Sequence, residues 1–300
     1  MRTGMLKGVL LVITGAVCYA VLATLVRLAY NEGYTTTEVI VAQYTLGLLA
    51  LGIITLFKSS NRQYTAPVQK YDRLKLVIGG TAYGLTGTCY YMAVKYIPVS
   101  VCVVLLMQTI WMGIVLEALL TRRWPSKSKF LAMLIILGGT LLATNAINNS
   151  GKLDIRGILW GLASAVTYTI MLFVSNRIAL QMPPQQKSYW TLLGATTLVL
   201  LIAIPQWPAS FQISVFWKWG LLLAMFGTIL PPLLFSVGMP RTGIGLGSII
   251  ISIEIPVSVS MAYILLHEQV LAIQWLGIAL ILAAIVLINL NALRKELKTV

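Results

Sequence analysis

Charged residues are distributed along this chain so that ten long stretches carry almost none of them. A bilayer core requires about 17–25 uncharged residues wherever the chain crosses it as a helix. One stretch is interrupted, by Glu254 alone. In chain order the stretches are Gly8–Val26, Val39–Phe57, Leu76–Val94, Tyr96–Leu116, Phe130–Gly151, Gly157–Asn176, Ser188–Trp217, Trp219–Pro240, Thr242–Leu266 and Gln269–Leu293. We therefore predict ten transmembrane helices.

Composition supports a fold inside lipid, because 58% of the 300 residues are apolar and only 10% are charged. Soluble domains carry about a quarter charged residues. A membrane β-barrel would need strands that alternate polar and apolar residues over about ten positions, whereas Phe130–Ala143 is almost continuously apolar. Gly8–Val26 is longer than the apolar core of a secretory signal, about 7–15 residues, so it counts as helix 1. The predicted fold class is an all-α integral membrane protein.

Basic residues divide unevenly between the two membrane faces that ten helices would define. With the N-terminus in the cytoplasm, seventeen of the 22 Lys and Arg residues fall on the cytoplasmic side. Positive residues concentrate in cytoplasmic loops. We therefore predict that both termini are cytoplasmic, in a multi-pass protein of the inner (cytoplasmic) membrane. The net charge of +14 then reflects topology, and no nucleic-acid partner is expected.

An internal repeat divides the chain into predicted units 5–147 and 153–293. Helix 1 resembles helix 6 at an offset of 149, which pairs Tyr19 with Tyr168. At an offset of 146, Lys95 pairs with Arg241 and Gln108 with Glu254. Each unit would contain five helices, an odd number, so the two copies enter the membrane from opposite sides. Inverted repeats are typical of secondary transporters, whose sites lie near the midplane between the copies.

Three segments carry a family resemblance. These are Tyr91–Pro98, Glu254–Val257, and Leu265–Gln269 followed by Gln274 and Gly277. The chain, over residues 5–293, resembles the EamA branch of the drug/metabolite transporter (DMT) superfamily. It departs from the family pattern at His267, where Gly is usual, at Ile110, where Pro is expected, and at Arg122, where Glu is expected. The resemblance implies two inverted five-helix repeats and small solutes, commonly amino acids, other metabolites or drugs, that are usually exported.

Glu254 is the strongest candidate site residue. An ionisable group at a helix centre costs roughly 2.5–3.5 kcal/mol on insertion scales and marks a functional site by default. Pro256 lacks an amide proton, so the carbonyl of Ser252 is expected to be free for a solute, a water molecule or a neighbouring helix. The alternative is that Glu254 pairs with an interior side chain and only fixes packing.

Gln108, Trp111 and Tyr83 are predicted to line a central cavity together with Glu254. Gln108 and Trp111 share a helix face at i, i+3, and an amide beside an indole suits a zwitterionic or aromatic solute. The alternative for Gln108 is a hydrogen bond between helices, because polar residues hold membrane helices together. Tyr83 lies mid-span among glycines of helix 3 and is predicted to contact the solute.

The repeat-related Tyr19 and Tyr168 are predicted to face each other across the pseudo-twofold axis, as solute contacts or as packing residues. Pro256 and Pro232 are predicted helix breaks. Lys95 and Arg241 lie at span ends, where such residues usually extend toward the membrane surface. Their repeat relation also suggests a gating role.

Catalytic chemistry has little support in this sequence. His267 is the single histidine, no phosphate-binding loop is present, and the three cysteines are dispersed. The longest polar loop, Lys58–Arg73, is too short for a soluble catalytic domain. We expect no enzyme activity, no cofactor and no metal site.

The function predicted from the sequence is a secondary transporter of small metabolites, with amino acids as the favoured exported solutes, that works by alternating access through a central cavity between the two repeats. A monomer is expected. A broad-specificity efflux protein for cationic drugs is one alternative. A membrane-embedded enzyme acting on a lipid-linked substrate is another, from a different class. The sequence leaves open whether transport is coupled to protons at Glu254 or is facilitative.

Overall fold

The computed structural model describes residues 2–57, 70–122, 124–125, 127–144, 153–179, 182–242 and 250–298. This described part is almost entirely helical and contains no strand, which confirms the all-α prediction. Most of the basic loop predicted at Lys58–Arg73 lies outside the described residues, as do Arg123 and Lys152.

Eleven helices of eight or more residues follow one another in the described residues, and a short 3-10 helix, Ile204–Gln206, follows α8. Ten of them are single α-helices: α1 (Arg2–Asn31), α2 (Thr36–Phe57), α3 (Lys70–Tyr96), α4 (Val99–Leu106), α5 (Thr109–Thr121), α6 (Lys127–Ala143), α7 (Ile155–Arg177), α8 (Pro184–Ala203), α10 (Glu254–Leu266) and α11 (Ala272–Lys298). Between α8 and α10, helix α9 joins Phe216–Gly220, Leu221–Leu223, Ala224–Ile229 and Leu230–Thr242 without a gap; the first and third of these are π-helical.

Six helical stretches among the described residues are long and apolar enough to cross a membrane. They are Leu6–Asn31, Thr36–Phe57, Val99–Leu120, Ile155–Val174, Pro184–Gln206 and Phe216–Phe235. Three shorter apolar helices are Phe130–Ala143, Glu254–Leu266 and Ala272–Val286. The total of ten crossings and the side on which the termini lie stay predictions.

Three predicted spans differ from the helices in the structure. In Thr242–Leu266, a turn at Ser252 and Ile253 precedes α10. The stretch Tyr96–Leu116 does not form one helix, because a turn at Met107 and Gln108 separates α4 from α5. The stretch Ser188–Trp217 is shortened, since α8 ends at Ala203. Pro205 follows within two residues, and proline disfavours continuation of the helix ahead of it.

The helix packing has the pattern expected of two related halves. Helix α3 packs against α7 and α8, and α9 packs against α1 and α2. In the repeat, α1 corresponds to α7, α2 to α8 and α3 to α9. Exchanging corresponding helices therefore converts the contacts of α3 into the contacts of α9. Helices α2 and α8 pack on each other, as do α6 and α11, and each of these pairs maps onto itself under the same exchange.

The structure changes the offset between the copies in one region. Helices α5 and α10 each contain 13 residues. They end at Arg122 and His267, which both adopt the left-handed conformation, with φ of 53° and 54°. These equivalences give an offset of 145, so Thr109 corresponds to Glu254. The predicted pairing of Gln108 with Glu254 is wrong by one residue.

The offset of 149 between α1 and α7 agrees with the contacts of two glycines. A Cβ at Gly157 would meet Tyr96 and Ile97, and one at Gly8 would meet Arg241 and Thr242. Tyr96 and Arg241 are themselves 145 apart. The same helix crossing therefore occurs once in each copy.

Helices α3 and α8 approach closely enough for their backbones to touch. A Cβ atom at Gly80 or Gly84 would meet the carbonyl of Thr191 or Ala195, and one at Gly194 would meet the carbonyl of Val77. Small residues permit this backbone contact between membrane helices. The crossing fixes α3, which carries Tyr83, against the second repeat.

Helix α7 begins with a side-chain cap. Asp154 accepts hydrogen bonds from the Arg156 backbone N–H at 2.9 Å and from its guanidinium Nε at 3.1 Å. The Arg156 side chain lowers the pKa of Asp154, and its backbone N–H adds to the effect. A capped first turn fixes the start of the helix that carries Tyr168.

Candidate functional site

A buried cluster of tyrosines connects three helices in the middle of the molecule. The Tyr83 hydroxyl donates to the carbonyl of Gly227 at 3.0 Å and lies 3.1 Å from the Tyr19 hydroxyl. A phenol has one proton to donate, so Tyr19 is the donor in the second hydrogen bond. The cluster therefore joins α1, α3 and α9, and the two predicted solute-contacting residues Tyr19 and Tyr83 are bonded to each other.

The Gly227 carbonyl is available to Tyr83 because of two prolines. In an α-helix its partner would be the N–H of residue 231, and in a π-helix that of residue 232. Both positions are proline, and proline has no N–H. Pro232 thus acts with Pro231 to free a backbone acceptor beside the cluster. The prediction named Pro232 alone and did not identify its acceptor.

Tyr44 also belongs to this cluster, and the sequence reasoning missed it. Its hydroxyl donates to the Tyr83 carbonyl at 3.1 Å, and the two rings lie 5.7 Å apart. Gly87 of α3 permits this contact, because a Cβ there would collide with the Tyr44 hydroxyl. The glycines of α3 were a usable signal, since each marks a close neighbour.

Glu254 is the first residue of α10 and is only 6% exposed. In the described part of the chain its carboxyl group has no hydrogen bond and no ion pair. The carboxyl group interacts electrostatically with the side chains of Tyr90 and Tyr168. Neither of their hydroxyls is hydrogen-bonded within the described residues. Tyr168 interacts electrostatically with Glu254 and with Tyr83, which links the carboxyl group to the tyrosine cluster.

Ser252 does not have the role predicted for its carbonyl. The backbone N–H of Ile255 donates to that carbonyl at 3.2 Å. The chain makes a tight turn at Ser252 and Ile253 just before α10, and this turn replaces the bond that Pro256 cannot form. The prediction that Pro256 leaves this acceptor free is therefore wrong, although a break near Pro256 is present.

Gln108 and Trp111 are not part of the tyrosine cluster and bond to other residues. The Gln108 amide nitrogen donates to the Val104 carbonyl at 2.9 Å and to the Thr140 hydroxyl at 2.7 Å. The Trp111 indole donates to the Gln108 amide oxygen at 2.9 Å. Both amide protons of Gln108 are used, so its contacts match the alternative interpretation, a hydrogen bond that joins helices, here α4 and α6.

Gln108 and Trp111 line a mainly apolar cavity of about 360 Å³ between α4, α5, α6 and α7. Tyr83 and Glu254 are not among its lining residues. The structure thus divides the four side chains predicted to share one cavity between two places. Sequence spacing placed them at similar depth but did not determine which side of each helix faces the molecular centre.

Lys95 and Arg241 are exposed at the ends of α3 and α9. The Lys95 ammonium lies 5.7 Å from the centre of the Tyr96 ring. Within the described residues neither side chain forms an ion pair. The structure places them where residues that extend toward the membrane surface are found. The offset of 145 pairs Arg241 with Tyr96, so the predicted pairing of Lys95 with Arg241 is wrong by one residue, and a gating role stays a prediction.

Glu268 makes a contact between the two repeats that the sequence analysis did not predict. Its Oε1 accepts from the Val99 N–H at 2.7 Å, and its Oε2 accepts from the Ser100 N–H at 3.1 Å and the Ser100 hydroxyl at 2.8 Å. A carboxylate of the second repeat therefore caps helix α4 of the first. It lies within the family-like segment Leu265–Gln269, which was the available signal.

Comparisons with known proteins agree with this arrangement. One solved structure, described only as a crystal structure of a protein, matches with a TM-score of 0.69 and 17% sequence identity, over 96% of this chain and 97% of its own. At that identity the similarity shows the fold alone. Among curated proteins, none matches significantly. The family model described as "EamA-like transporter family" matches twice, over residues 6–145 and 155–290. The resemblance to the DMT superfamily is thereby confirmed, and this chain belongs to the EamA-like transporter family.

Proposed function

We propose that this protein is a secondary transporter that exports small metabolites, most readily amino acids, by alternating access through a cavity between its two repeats. Membership of a transporter family supports transport as the activity. The observation that carries the choice of solute is Glu254, a buried carboxyl group without a partner among the described residues, which interacts electrostatically with Tyr90 and Tyr168.

An amino acid suits these groups because it carries both charges. Its ammonium group would meet the Glu254 carboxylate, and its carboxylate would accept hydrogen bonds from tyrosine hydroxyls, which donate one proton each. The aromatic rings around Tyr83 would surround an apolar side chain. Near the middle of a membrane such pairing compensates for the cost of an isolated charge.

Export of cationic drugs is the second candidate, favoured by the same carboxylate and the aromatic faces near it. Quaternary ammonium groups bind to aromatic rings through cation–π attraction. A drug of this class needs no carboxylate recognition. The two candidate functions therefore differ in whether transport requires a carboxylate on the solute.

The membrane arrangement that goes with this function has ten crossings and both termini in the cytoplasm. The paired packing of α3 with α7 and of α9 with α1 supports an inverted arrangement. A substrate site at the interface of inverted repeats, near the midplane, is the usual design of such transporters. We propose the inner membrane as its location.

The test is a flux screen in proteoliposomes of known orientation. The panel contains amino acids, their decarboxylated amines, quaternary ammonium drugs and nucleosides. We expect flux of amino acids and little flux of the matching amines. Flux of drugs and amines alone would favour the second candidate, and flux confined to anionic sugars or phosphates would contradict both.

Two variants make the screen specific for the site. Glu254→Gln removes the charge at nearly constant volume and is expected to weaken amino-acid transport at least about tenfold, since loss of one charge-assisted contact is worth roughly 1.5–3 kcal/mol. Asp72→Asn makes the same change at the start of α3 and should transport normally. Equal activity of the two variants would contradict a role for Glu254.

A further inference from the structure

The two copies of one helix crossing differ in chemistry. In the first repeat, the Thr109 and Thr169 hydroxyls are 2.7 Å apart and join α5 to α7. At offsets of 145 and 149, the corresponding residues of the second repeat are Glu254 and Ala20. Helices α1 and α10 pack against each other there. A pair of bonded hydroxyls is thus replaced by a carboxyl group and a methyl group, so no hydrogen bond closes this crossing.

One helical turn further along, the second repeat places two hydroxyls at the same crossing. In the first repeat, a Cβ at Gly157 would meet Ile97, and twelve residues later on both segments Thr169 meets Thr109. Residue numbers therefore rise together along the two segments, so the crossing helices run in the same direction. The residues four positions after Ala20 and Glu254 are Thr24 and Ser258. From this repeat relation we infer that they occupy neighbouring positions on α1 and α10, two helices that pack on each other.

Thr24 and Ser258 are both 0% exposed, and their hydroxyl oxygens are the two buried side-chain polar atoms of the described residues that have no hydrogen-bond partner. Buried polar groups are almost always paired, and an exception calls for an explanation such as a bound ion. The corresponding residues of the first repeat are Phe173 and Gly113, which have no hydroxyl. The oxygen atoms at this crossing are therefore not required by the repeat fold.

The carboxyl group of Glu254 lies one turn before Ser258 on the same helix, so both point to one side of α10. The repeat relation thus assigns three oxygen-bearing side chains, each without a partner in the described residues, to one crossing of two helices. Hard cations bind to oxygen ligands. One carboxylate neutralises one positive charge, which favours a monovalent ion at this depth, because a divalent ion would leave a net charge in the membrane.

We propose that Glu254, Ser258 and Thr24 bind a sodium ion between α1 and α10, and that this ion moves together with the solute. The coupling, though not the binding, rests on the proposed transport function. The turn at Ser252 and Ile253 leads directly into the site, and interrupted helices near the midplane are where transporters bind coupling ions. A carboxylate offers about four acceptor positions, so a sodium ion and the ammonium group of a solute can share Glu254.

The first experiment measures binding of radioactive sodium to the purified protein in detergent, without solute. Saturable binding near one ion per chain is expected. Thr24→Val, Ser258→Ala and Glu254→Gln should each weaken it at least about fivefold, the low end of the range for coupled sites. Thr14→Val removes a hydroxyl from the same helix that already bonds to the Leu10 carbonyl, and should bind sodium normally.

The second experiment measures amino-acid flux in proteoliposomes with sodium, potassium or N-methyl-D-glucamine outside, at one pH and osmolarity. Sodium should raise the initial rate at least about fivefold over the other cations. Thr24→Val and Ser258→Ala should raise the sodium concentration needed for half-maximal flux. Thr24→Ser, which keeps the hydroxyl, should need less sodium for half-maximal flux than Thr24→Val does.

The outcomes separate the two proposals. Absence of saturable sodium binding, or binding that Thr24→Val and Ser258→Ala do not change, overturns the sodium site. Flux that is equal in all three cations overturns the coupling. Sodium binding without flux of any solute would leave the site standing and contradict the proposed transport function.

Discussion

Glu268 and Ser100 are joined by two hydrogen bonds across the two repeats, from the Ser100 backbone N–H and from its hydroxyl to the same carboxylate oxygen. The other carboxylate oxygen accepts from Val99. Helix α4 thus begins at a negative group, which its N-terminal dipole favours. The segment after α10 and the start of α4 are held together at this end of the molecule.

We expect Glu268→Ala to loosen the start of α4. Loss of a helix cap costs about 1–2 kcal/mol, so the melting temperature in detergent should fall. Cys102, buried one turn into α4, should react faster with a thiol reagent when Cys18 and Cys89 are replaced by Ala. Glu32→Ala is the control, because the exposed Glu32 carboxylate accepts a hydrogen bond from the Trp219 indole, far from α4 in the sequence; equal labelling of Cys102 in both variants would show that Glu268 does not hold α4.

Tyr83→Phe should destabilise the protein, because the Gly227 carbonyl loses the donor that its prolines make necessary. A buried acceptor left unsatisfied costs about 1–3 kcal/mol. Denaturant unfolding in detergent measures the change. Tyr71→Phe, at an exposed position of the same helix, serves as the matched control and should be neutral; similar losses in both would mean that the Gly227 bond contributes little.

His267→Gly should stabilise the protein. His267 ends α10 at φ 54° and ψ 31°, a conformation that costs an L-residue about 1–2 kcal/mol and that glycine adopts freely. We expect a net gain of about 1 kcal/mol after the greater freedom of glycine in the unfolded chain is included. Gln269→Gly nearby, without a positive φ, should give no gain; a gain there of the same size would contradict the explanation.

Membrane orientation can be tested with single cysteines in a background lacking Cys18, Cys89 and Cys102. A cysteine at Ser210, between α8 and α9, should react with an impermeant reagent in intact cells. A cysteine at Ser60, outside the described residues, should not. Equal labelling of both positions would contradict cytoplasmic termini.

Flux in the wild type should not respond to an imposed pH gradient at fixed internal pH. Proton pathways in membranes use chains of acidic and histidine side chains, and Glu254 is the only acid near the middle of any predicted span. Flux measured with and without the gradient tests this expectation. A marked response that Glu254→Gln abolishes would establish proton coupling in its place.

The gross architecture was predictable because charge spacing depends on lipid thickness alone. Helix ends were harder to predict. Helix α3 begins at Lys70, six residues before the predicted span, because a helix continues beyond the hydrocarbon wherever its backbone hydrogen bonds continue. The turn at Met107 and Gln108 had no Pro or Gly signal. The repeat offset was wrong by one because it aligned polar side chains, Gln108 with Glu254, whereas the copies are equivalent in backbone conformation.

The candidate site was predictable only in part. Tyr19, Tyr83 and Tyr168 lie mid-helix, and Glu254 begins α10 near the middle of its predicted span; all four helices pack against the other repeat. Gln108 lies equally deep but bonds to Thr140 on α6, and a single helix sequence does not specify which neighbour it meets. The contact of Glu268 with Ser100 joins residues 168 positions apart, so no local pattern could indicate it.

The two π-helical runs in α9 bear on how this protein tolerates changes in length. A π-helical turn contains more residues than an α-helical turn over a similar rise. Deleting one residue within Ala224–Ile229 could therefore restore an ordinary helix with little movement of its ends. The same deletion in a regular helix such as α2 would rotate every later side chain by about 100°. Length variation among relatives should accordingly concentrate in this stretch of α9, where the stacking of Phe235 on Tyr19 would report whether the rotation had been absorbed.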